Sequence, residues 1–262
     1  MVKKRRIPVS TLLTAPLELG GDWGGSPEQA VCVVLSRVRE ASLSGIGLFS
    51  DQQPEKLRVD NHSPGLPHIW LHSDQPGMAW IIVDVGSADW CKLAYQFGHE
   101  LGHVLCNSWR WGNDPMPPSQ WFEESVVEAF SLRGLAQLAE NWERSPPFPN
   151  DAAFAGAIRQ YRENLLAGYR EASQIDFSLW LRSGRPMPEN NNAAPKGPMV
   201  APILAELERD KRCVEDMAAL NRWPERTGLP IEQYLLLWEK SCKEINAPDL
   251  LPPQVRGLLK LI

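Results

Sequence analysis

The chain has 262 residues, of which 43% are hydrophobic and 23% are charged, a composition typical of globular proteins. Its net charge of −5 argues against a nucleic-acid partner, because such a partner selects a basic surface. No stretch approaches the roughly eighteen uninterrupted apolar residues of a membrane helix, so we expect a soluble protein with no membrane partner.

Two features of the sequence favour a cytoplasmic location. The basic run at residues 3–6 is interpreted as a solvated tail, because Pro8, Pro16 and Glu18 interrupt the apolar stretch that a signal peptide would need after it. The cysteines are odd in number, widely spaced and set mostly in apolar contexts: Cys32, Cys91, Cys106, Cys213 and Cys242. We therefore expect buried free thiols in a reducing compartment.

The first part of the chain predicts a scaffold helix followed by a small sheet. Residues 26–44 begin with Ser-Pro-Glu, a helix-start signal, and place apolar side chains on one face. Three short runs rich in β-branched and aromatic residues follow at 56–61, 68–73 and 78–85, each bounded by turn-forming residues. These runs predict three strands.

The next element carries a motif with a chemical meaning. Residues 88–107 show the apolar spacing of a helix, and no proline interrupts them. Within them His99 and His103 are four residues apart, so both imidazoles can point at one metal ion from one helix face. Glu100 would then lie beside the ion as a general base. A helix with two polar histidines and a salt-bridged glutamate, without a metal, is the alternative.

Two glycines in the same segment need a structural explanation. Gly98 and Gly102 each cost about 1 kcal/mol relative to alanine in a helix interior. That cost is understood if another backbone, another helix or a substrate approaches closely at these positions. A simple kink is the alternative.

A third ligand is needed, because a catalytic zinc usually has three protein ligands and an open position. No histidine follows His103, but the apolar segment at residues 121–130 contains three glutamates. Glu124 and Glu128 share a helix face, so Glu124 is predicted as the ligand and Glu128 as an acceptor of a histidine ring N–H. Glu123, about 100° away around the helix, competes for the ligand role. A solvated acidic face at a helix start is the alternative for all three.

Other potential ligands are weaker candidates. His62, His68 and His72 lie in or beside the predicted strands and are expected at surface positions, with His72 the one worth testing for proximity to the metal. Cys106, three residues after His103 on the same predicted helix, is a further potential ligand.

The motif residues resemble those of a known clan. His99-Glu100-x-x-His103 followed by Glu124-x-x-x-Glu128 resembles the gluzincin zinc metallopeptidases, which include thermolysin and the membrane-alanyl-type aminopeptidases. The resemblance implies one Zn²⁺ on His99, His103 and Glu124, with Glu100 as the base and Glu128 supporting a zinc-bound histidine.

The same resemblance carries expectations for the substrate cleft. It implies that the strand at 78–85 is an edge that pairs with an extended peptide, although an interior strand is equally compatible with the sequence. It also implies that a helical lobe supplies an oxyanion-stabilising residue. The candidates are Tyr161, Tyr169, Tyr234 and Arg159, for which surface or interlobe packing is the alternative.

The whole sequence predicts an α+β fold in two lobes. Residues 1–145 would form a zincin-like catalytic lobe with a small mixed sheet and the metal-site helix, and residues 146–262 a helical lobe that closes the cleft. Within the second lobe a Gly-, Pro- and Asn-rich linker is predicted at 183–198. The helices there are predicted at 151–172, 199–223, 230–245 and 253–262.

The predicted function is that of a zinc-dependent metallopeptidase acting on peptides or proteins. Two alternatives remain at this stage. One is a catalytically weak or inactive zinc-binding protein with a regulatory or partner-binding role, and the other is a structural helical protein without a metal.

Overall fold

A small mixed sheet and a set of surrounding helices make up the fold, which is the α+β architecture that the sequence predicts. A computed structural model of the chain describes residues 11–47, 50–110, 112, 120–176, 179, 181, 197–224, 226 and 228–261. The strands are β1 Leu17–Gly21, β2 Lys56–Asn61, β3 His68–Ile69 and β4 Met78–Val83. The helices are α1 Thr11–Thr14, α2 Glu28–Ser42, α3 Trp90–Leu105, α4 Gln120–Arg144, α5 Phe154–Ala172, α6 Gly197–Arg209, α7 Cys213–Met217, α8 Ile231–Ile245 and α9 Leu251–Leu258.

The sheet has the strand order β1-β2-β4-β3. Strands β1, β2 and β4 are parallel, whereas β3 runs antiparallel to β4 through the pairs His68–Ile82 and Ile69–Ile81. Strand β4 is therefore an interior strand, with β2 on one side and β3 on the other. The interpretation of residues 78–85 as a substrate-pairing edge is wrong, because β3 covers that side.

Two further details of the sheet differ from the prediction. The strand expected at 68–73 is reduced to two residues, followed by one more hydrogen bond from the Trp70 N–H to the Trp80 carbonyl at 2.8 Å. Strand β1 is not predicted from the sequence at all. Pro16 lies directly before β1, where its missing N–H removes no hydrogen bond between strands. A proline at this position is compatible with an edge strand.

Helix α4 is the central element of the helical part. It is 25 residues long, and its buried residues lie on all sides of the helix from Trp121 to Trp142. It packs against α2, α3, α5 and α6. A helix that is apolar around its circumference must be covered on every side, which explains why the other helices surround this one.

The contact between α3 and α4 depends on the two glycines of the motif helix. A Cβ added at Gly102 would lie 2.9 Å from Val127 Cβ and 3.2 Å from Phe130 Cδ1, and one added at Gly98 would lie 3.1 Å from Ser131 Oγ. These distances are shorter than ordinary van der Waals contacts. The prediction that another helix approaches these glycines closely is confirmed.

The predicted helix at 199–223 is only partly correct. The structure divides it into α6 and α7, and the break falls at Asp210, whose carboxylate accepts the backbone N–H of Arg212 at 3.0 Å. Such a local side-chain acceptor competes with helix continuation. Asn221 then adopts a φ of 56°, in the left-handed region, and ends the helical path. The predicted linker is outside the described residues except for its last two positions, which begin α6.

The C-terminal helices are fastened to one another by a buried carboxylate. Asp216 of α7 is fully buried and accepts the backbone N–H groups of Asp249, Leu250 and Leu251, each at 2.7 Å. Its own backbone carbonyl accepts the indole N–H of Trp238 in α8 at 2.7 Å. Helix α7 is thereby held against α8 and the start of α9.

Buried side chains from both halves of the chain belong to one hydrophobic core. The division into lobes at residue 145 stays a prediction. Within the described ranges, none of the helices combines the length and apolar character of a membrane span. All five cysteines are described and none forms a disulfide, as predicted, although only Cys106, Cys213 and Cys242 are buried.

The α3–α4 contact gives a test by substitution. We expect Gly102→Ala to lower the free energy of unfolding by about 1–3 kcal/mol, because the added methyl group overpacks the contact with Val127. The control is Gly168→Ala in α5, where nothing lies within 4 Å of the added Cβ. The control should raise the free energy of unfolding by up to about 1 kcal/mol through helix propensity. Urea denaturation of the metal-free proteins measures both, and equal stability of Gly102→Ala and the wild type would contradict the account.

Candidate metal centre

Helices α3 and α4 run antiparallel. His99 of α3 contacts Glu128 of α4, whereas His103, one turn later on α3, contacts Glu124, one turn earlier on α4. His99 and His103 lie one turn apart on the face of α3 that meets α4. Glu124, near the start of α4, lies between the two imidazoles. Its Oε2 is 3.3 Å from His99 Nε2, and its Oε1 is 3.4 Å from His103 Nε2.

These distances match the spacing of ligands around one ion. Donors bound at about 2.0–2.1 Å in a tetrahedral zinc site lie about 3.3–3.4 Å from one another. One donor atom from each of His99, His103 and Glu124 lies within 4.8 Å of the others, so the three residues could hold a metal ion. The structure thus brings together the three predicted ligands.

The second nitrogen of His99 is directed at Glu128. His99 Nδ1 lies 3.0 Å from Glu128 Oε2, and the Glu128 side chain is fully buried. The hydroxyl of Tyr95, one turn before His99, donates to both Glu128 oxygens at 2.8 and 2.9 Å. A carboxylate at this distance favours the tautomer that leaves Nε2 available to a metal, and the supporting role predicted for Glu128 is compatible with this position.

The second nitrogen of His103 has a carboxylate of its own. His103 Nδ1 lies 2.8 Å from Glu123 Oε1, and the same oxygen accepts the Ser108 hydroxyl at 2.5 Å. Glu123 was a competitor for the ligand role in the sequence. The structure places it at Nδ1, whereas Glu124 faces Nε2. Its position suits a carboxylate that orients His103 rather than one that binds the ion.

The charges around the imidazoles shift the pKa values strongly. Burial lowers the pKa of His103, but the carboxylates of Glu124 and Glu123 outweigh burial and raise the pKa of this imidazole well above its ordinary value. For Glu124, burial raises the pKa, but His103 and His99 outweigh it and hold the pKa of the carboxyl well below its usual range. For Glu123, burial raises the pKa, but His103 outweighs burial and lowers the pKa of this carboxyl.

The donor set fits a divalent cation. The guanidinium of Arg226 lies 3.6 Å from Glu123. Counting these side chains alone, three carboxylates face one guanidinium and two imidazoles. Metal binding requires both imidazoles to be neutral. In that state the negative charges exceed the positive ones by two, and buried charge of that size is costly unless it is compensated. A dication bound between the histidines and Glu124 would offset it.

The predicted base and the predicted oxyanion residues have different surroundings. Glu100 is buried on α3 directly after His99. Tyr169 of α5 is within hydrogen-bonding reach of Glu128 and Tyr95, and burial, followed by the charge of Glu128, raises the pKa of its hydroxyl. Tyr161 packs its ring 6.0 Å from that of Tyr95, and burial raises the pKa of Tyr161 to about 12. Both tyrosines therefore lie beside the candidate centre and keep their protons at neutral pH.

The other two oxyanion candidates are placed differently. Tyr234 is buried in α8 and donates its hydroxyl to Asn221 at 2.7 Å. Arg159 is exposed on α5 and forms an ion pair with Glu143. The described contacts of these two residues do not include the metal-binding group.

The remaining ligand candidates do not join the group of His99, His103 and Glu124, as far as the described residues show. His62 and His68 are exposed, as expected. The expected surface position is wrong for His72, whose side chain is only 7% exposed because it packs edge-on against Trp80. Cys106 is fully buried at the end of α3, and burial raises the pKa of its thiol.

Sequence reasoning missed four residues that support the centre. Tyr95 lies four residues before His99, so helix spacing alone could have identified it. Ser108 lies just after the end of α3. Asn221 and Arg226 come from a distant part of the chain, and no sequence signal connects them to Glu123.

Comparisons of the chain with protein-family models, with curated proteins and with solved structures found no match. The geometry and chemistry of the site are therefore the basis of the functional interpretation.

The candidate ligands are tested by metal-dependent stability. We expect a zinc concentration 100-fold above the dissociation constant to raise the free energy of unfolding by about 2.7 kcal/mol. Glu124→Ala removes one of the three metal ligands and should abolish most of this increase in the free energy of unfolding. Glu140→Ala, an exposed glutamate of the same helix, is the matched control and should keep it. Full zinc stabilisation of Glu124→Ala would exclude Glu124 as a ligand.

Proposed function

We propose that the protein is a zinc-dependent hydrolase of peptide bonds, with His99, His103 and Glu124 as the ligands and Glu100 as the general base. The observation that carries the proposal is the position of one carboxylate between two imidazole Nε2 atoms, at 3.3 and 3.4 Å. A second observation supports it, since each Nδ1 atom has its own buried glutamate. Solvated polar histidines would not need such partners.

When bound, a zinc ion would supply Lewis-acid polarisation of the scissile carbonyl and would lower the pKa of water. The remaining chemistry belongs to side chains of this chain. Glu128 and Glu123 hold the two imidazoles in the tautomer that presents Nε2. Glu100 takes a proton from the attacking water and later passes it to the leaving amine. Glu100 is buried, which limits the access of bulk water to that proton.

The oxyanion is assigned to a tyrosine of α5. Both Tyr161 and Tyr169 are protonated at neutral pH and can donate a hydrogen bond. Tyr169 is the better candidate, because its hydroxyl lies beside Glu128 and interacts electrostatically with Glu124, a predicted ligand. Donation from a fixed hydroxyl toward developing negative charge is a common source of transition-state stabilisation.

The substrate class is the one that the resemblance to the gluzincin metallopeptidases implies. Peptides or proteins are therefore the proposed substrates, with a zincin-like fold and a cytoplasmic location as parts of the same proposal. The absence of disulfides among the five cysteines is compatible with that location.

The base is tested by a substitution that leaves the ligands intact. We expect Glu100→Gln to keep stoichiometric zinc and to lose about 10²- to 10⁴-fold in hydrolysis, because it removes proton transfer alone. The measurement is digestion of a broad peptide library followed by mass spectrometry, with zinc content determined on the same samples. Glu140→Gln on the surface of α4 is the control.

Three outcomes would contradict the proposal in different ways. Wild-type activity of Glu100→Gln would exclude Glu100 as the base. A zinc-loaded wild type that cleaves no peptide of the library would favour a regulatory or partner-binding zinc protein. A wild type that binds no zinc would favour a structural helical protein.

A further inference from the structure

Behind His103, buried polar side chains connect the candidate metal centre to the C-terminal part of the chain. Glu123 is 1% exposed, and its Oε1 faces His103 and Ser108. Its Oε2 accepts an amide N–H of Asn221 at 2.8 Å and faces Arg226 at 3.6 Å. The carboxylate that contacts His103 is therefore held largely by residues from beyond both motif helices.

Asn221 is the centre of this connection. It is fully buried, and its amide nitrogen donates to Glu123 and to the Ser108 hydroxyl at 2.9 Å. Its amide oxygen accepts the hydroxyl of Tyr234 at 2.7 Å. The two donors and the acceptor of one side chain are thus occupied, so the orientation of the amide is fixed.

The backbone at this position also limits which residue can stand there. Asn221 has a φ of 56°, a conformation that asparagine and glycine adopt more readily than other residues. An amide is presented to Glu123 because the chain turns out of α7 in this conformation. Helix α7, which directly precedes this turn, is itself anchored through Asp216 to the start of α9.

The two histidines consequently depend on different parts of the fold. Glu128, which contacts His99, receives the Tyr95 hydroxyl from α3, the same helix that carries the histidines. Glu123, which contacts His103, receives the amide of Asn221 from a segment about one hundred residues further along the chain. The orientation of His103 is therefore sensitive to how the C-terminal segment is docked.

We propose that Asn221 is a positioning residue of the metal centre, which fixes the Glu123 carboxylate and, through it, the ring orientation and tautomer of His103. The proposal rests on the proposed metal site. Metal-bound histidines need the outer ring nitrogen held by an acceptor, and loss of such an acceptor typically weakens metal binding by about 10- to 100-fold. By linkage, zinc binding at His103 also favours the docked C-terminal segment.

Asn107 offers a matched control. Like Asn221 it is fully buried, and its φ of 65° is also in the left-handed region. Its amide nitrogen donates to the backbone carbonyls of Ala218 and Leu220, so it ties the same segment to the end of α3. Because both amide hydrogens are used in this way, Asn107 offers no donor to Glu123.

The experiment compares Asn221→Gly with Asn107→Gly in the full chain. Glycine keeps the positive φ in both, so each variant removes only the side chain. Zinc dissociation constants are measured at one pH by competition with a chromophoric chelator, and the visible spectrum of the Co²⁺-loaded protein reports ligand geometry. Urea denaturation of the metal-free proteins measures the structural effect separately.

We expect both variants to lose stability. Asn221→Gly should weaken zinc binding by about 10- to 100-fold and alter the Co²⁺ spectrum, whereas Asn107→Gly should weaken it clearly less, because it keeps the amide that contacts Glu123. Wild-type affinity and spectrum in Asn221→Gly would overturn the proposal. Equal weakening in Asn107→Gly would also overturn it, because docking of the segment alone would then explain the effect.

A second variant covers the case in which Asn221→Gly does not fold. Tyr234→Phe removes the hydroxyl that fixes the Asn221 amide oxygen and leaves the aromatic packing in place. We expect a smaller weakening of zinc binding in this variant, and an unchanged dissociation constant would overturn the proposal. If the wild type binds zinc and the Asn221→Gly and Tyr234→Phe variants bind it with the same dissociation constant, only the positioning role is refuted. A wild type that binds no zinc refutes the metal site and this proposal together.

Discussion

The close antiparallel contact of α3 and α4 is the interaction on which the site depends. Two glycines on α3 let the backbone of α4 approach until side chains of α4 touch where a Cβ would otherwise lie. Because the helices run in opposite directions, His103 meets the glutamates at the start of α4, and His99 meets Glu128 one turn further along. A wider separation of the helices would leave one carboxylate unable to reach both Nε2 atoms.

Local spacing was enough to predict the parts of the site that lie on these two helices. The interval of four residues between His99 and His103, and between Glu124 and Glu128, defines helix faces without any knowledge of the rest of the fold. The glycines predicted a close neighbour for the same reason. The bounds of α3, α5 and α8 were also close to the prediction, since a regular apolar repeat is a property of the segment itself.

Features set by distant segments were not predictable in this way. Whether β4 is an edge or an interior strand depends on the two-residue strand β3, which is too short to give a reliable alternation. The split between α6 and α7 falls at Asp210, where the carboxylate accepts the backbone N–H of Arg212, a local contact that apolar spacing does not reveal. The contact of Glu123 with His103 Nδ1 was not predicted, because the partners that hold this carboxylate, Asn221 and Arg226, come from far along the chain.

The proposed hydrolase function depends on one condition: the Nε2 atoms of His99 and His103 and the carboxylate of Glu124 must bind the same ion. The most direct measurement is a crystal structure of the protein purified with zinc, with anomalous data collected at the zinc edge. The account predicts one peak per chain, with the two nitrogens and the Glu124 oxygen about 2.0–2.2 Å from it and a position left for solvent. An ion bound elsewhere, or these three side chains joined by direct hydrogen bonds in zinc-saturated crystals, would contradict it.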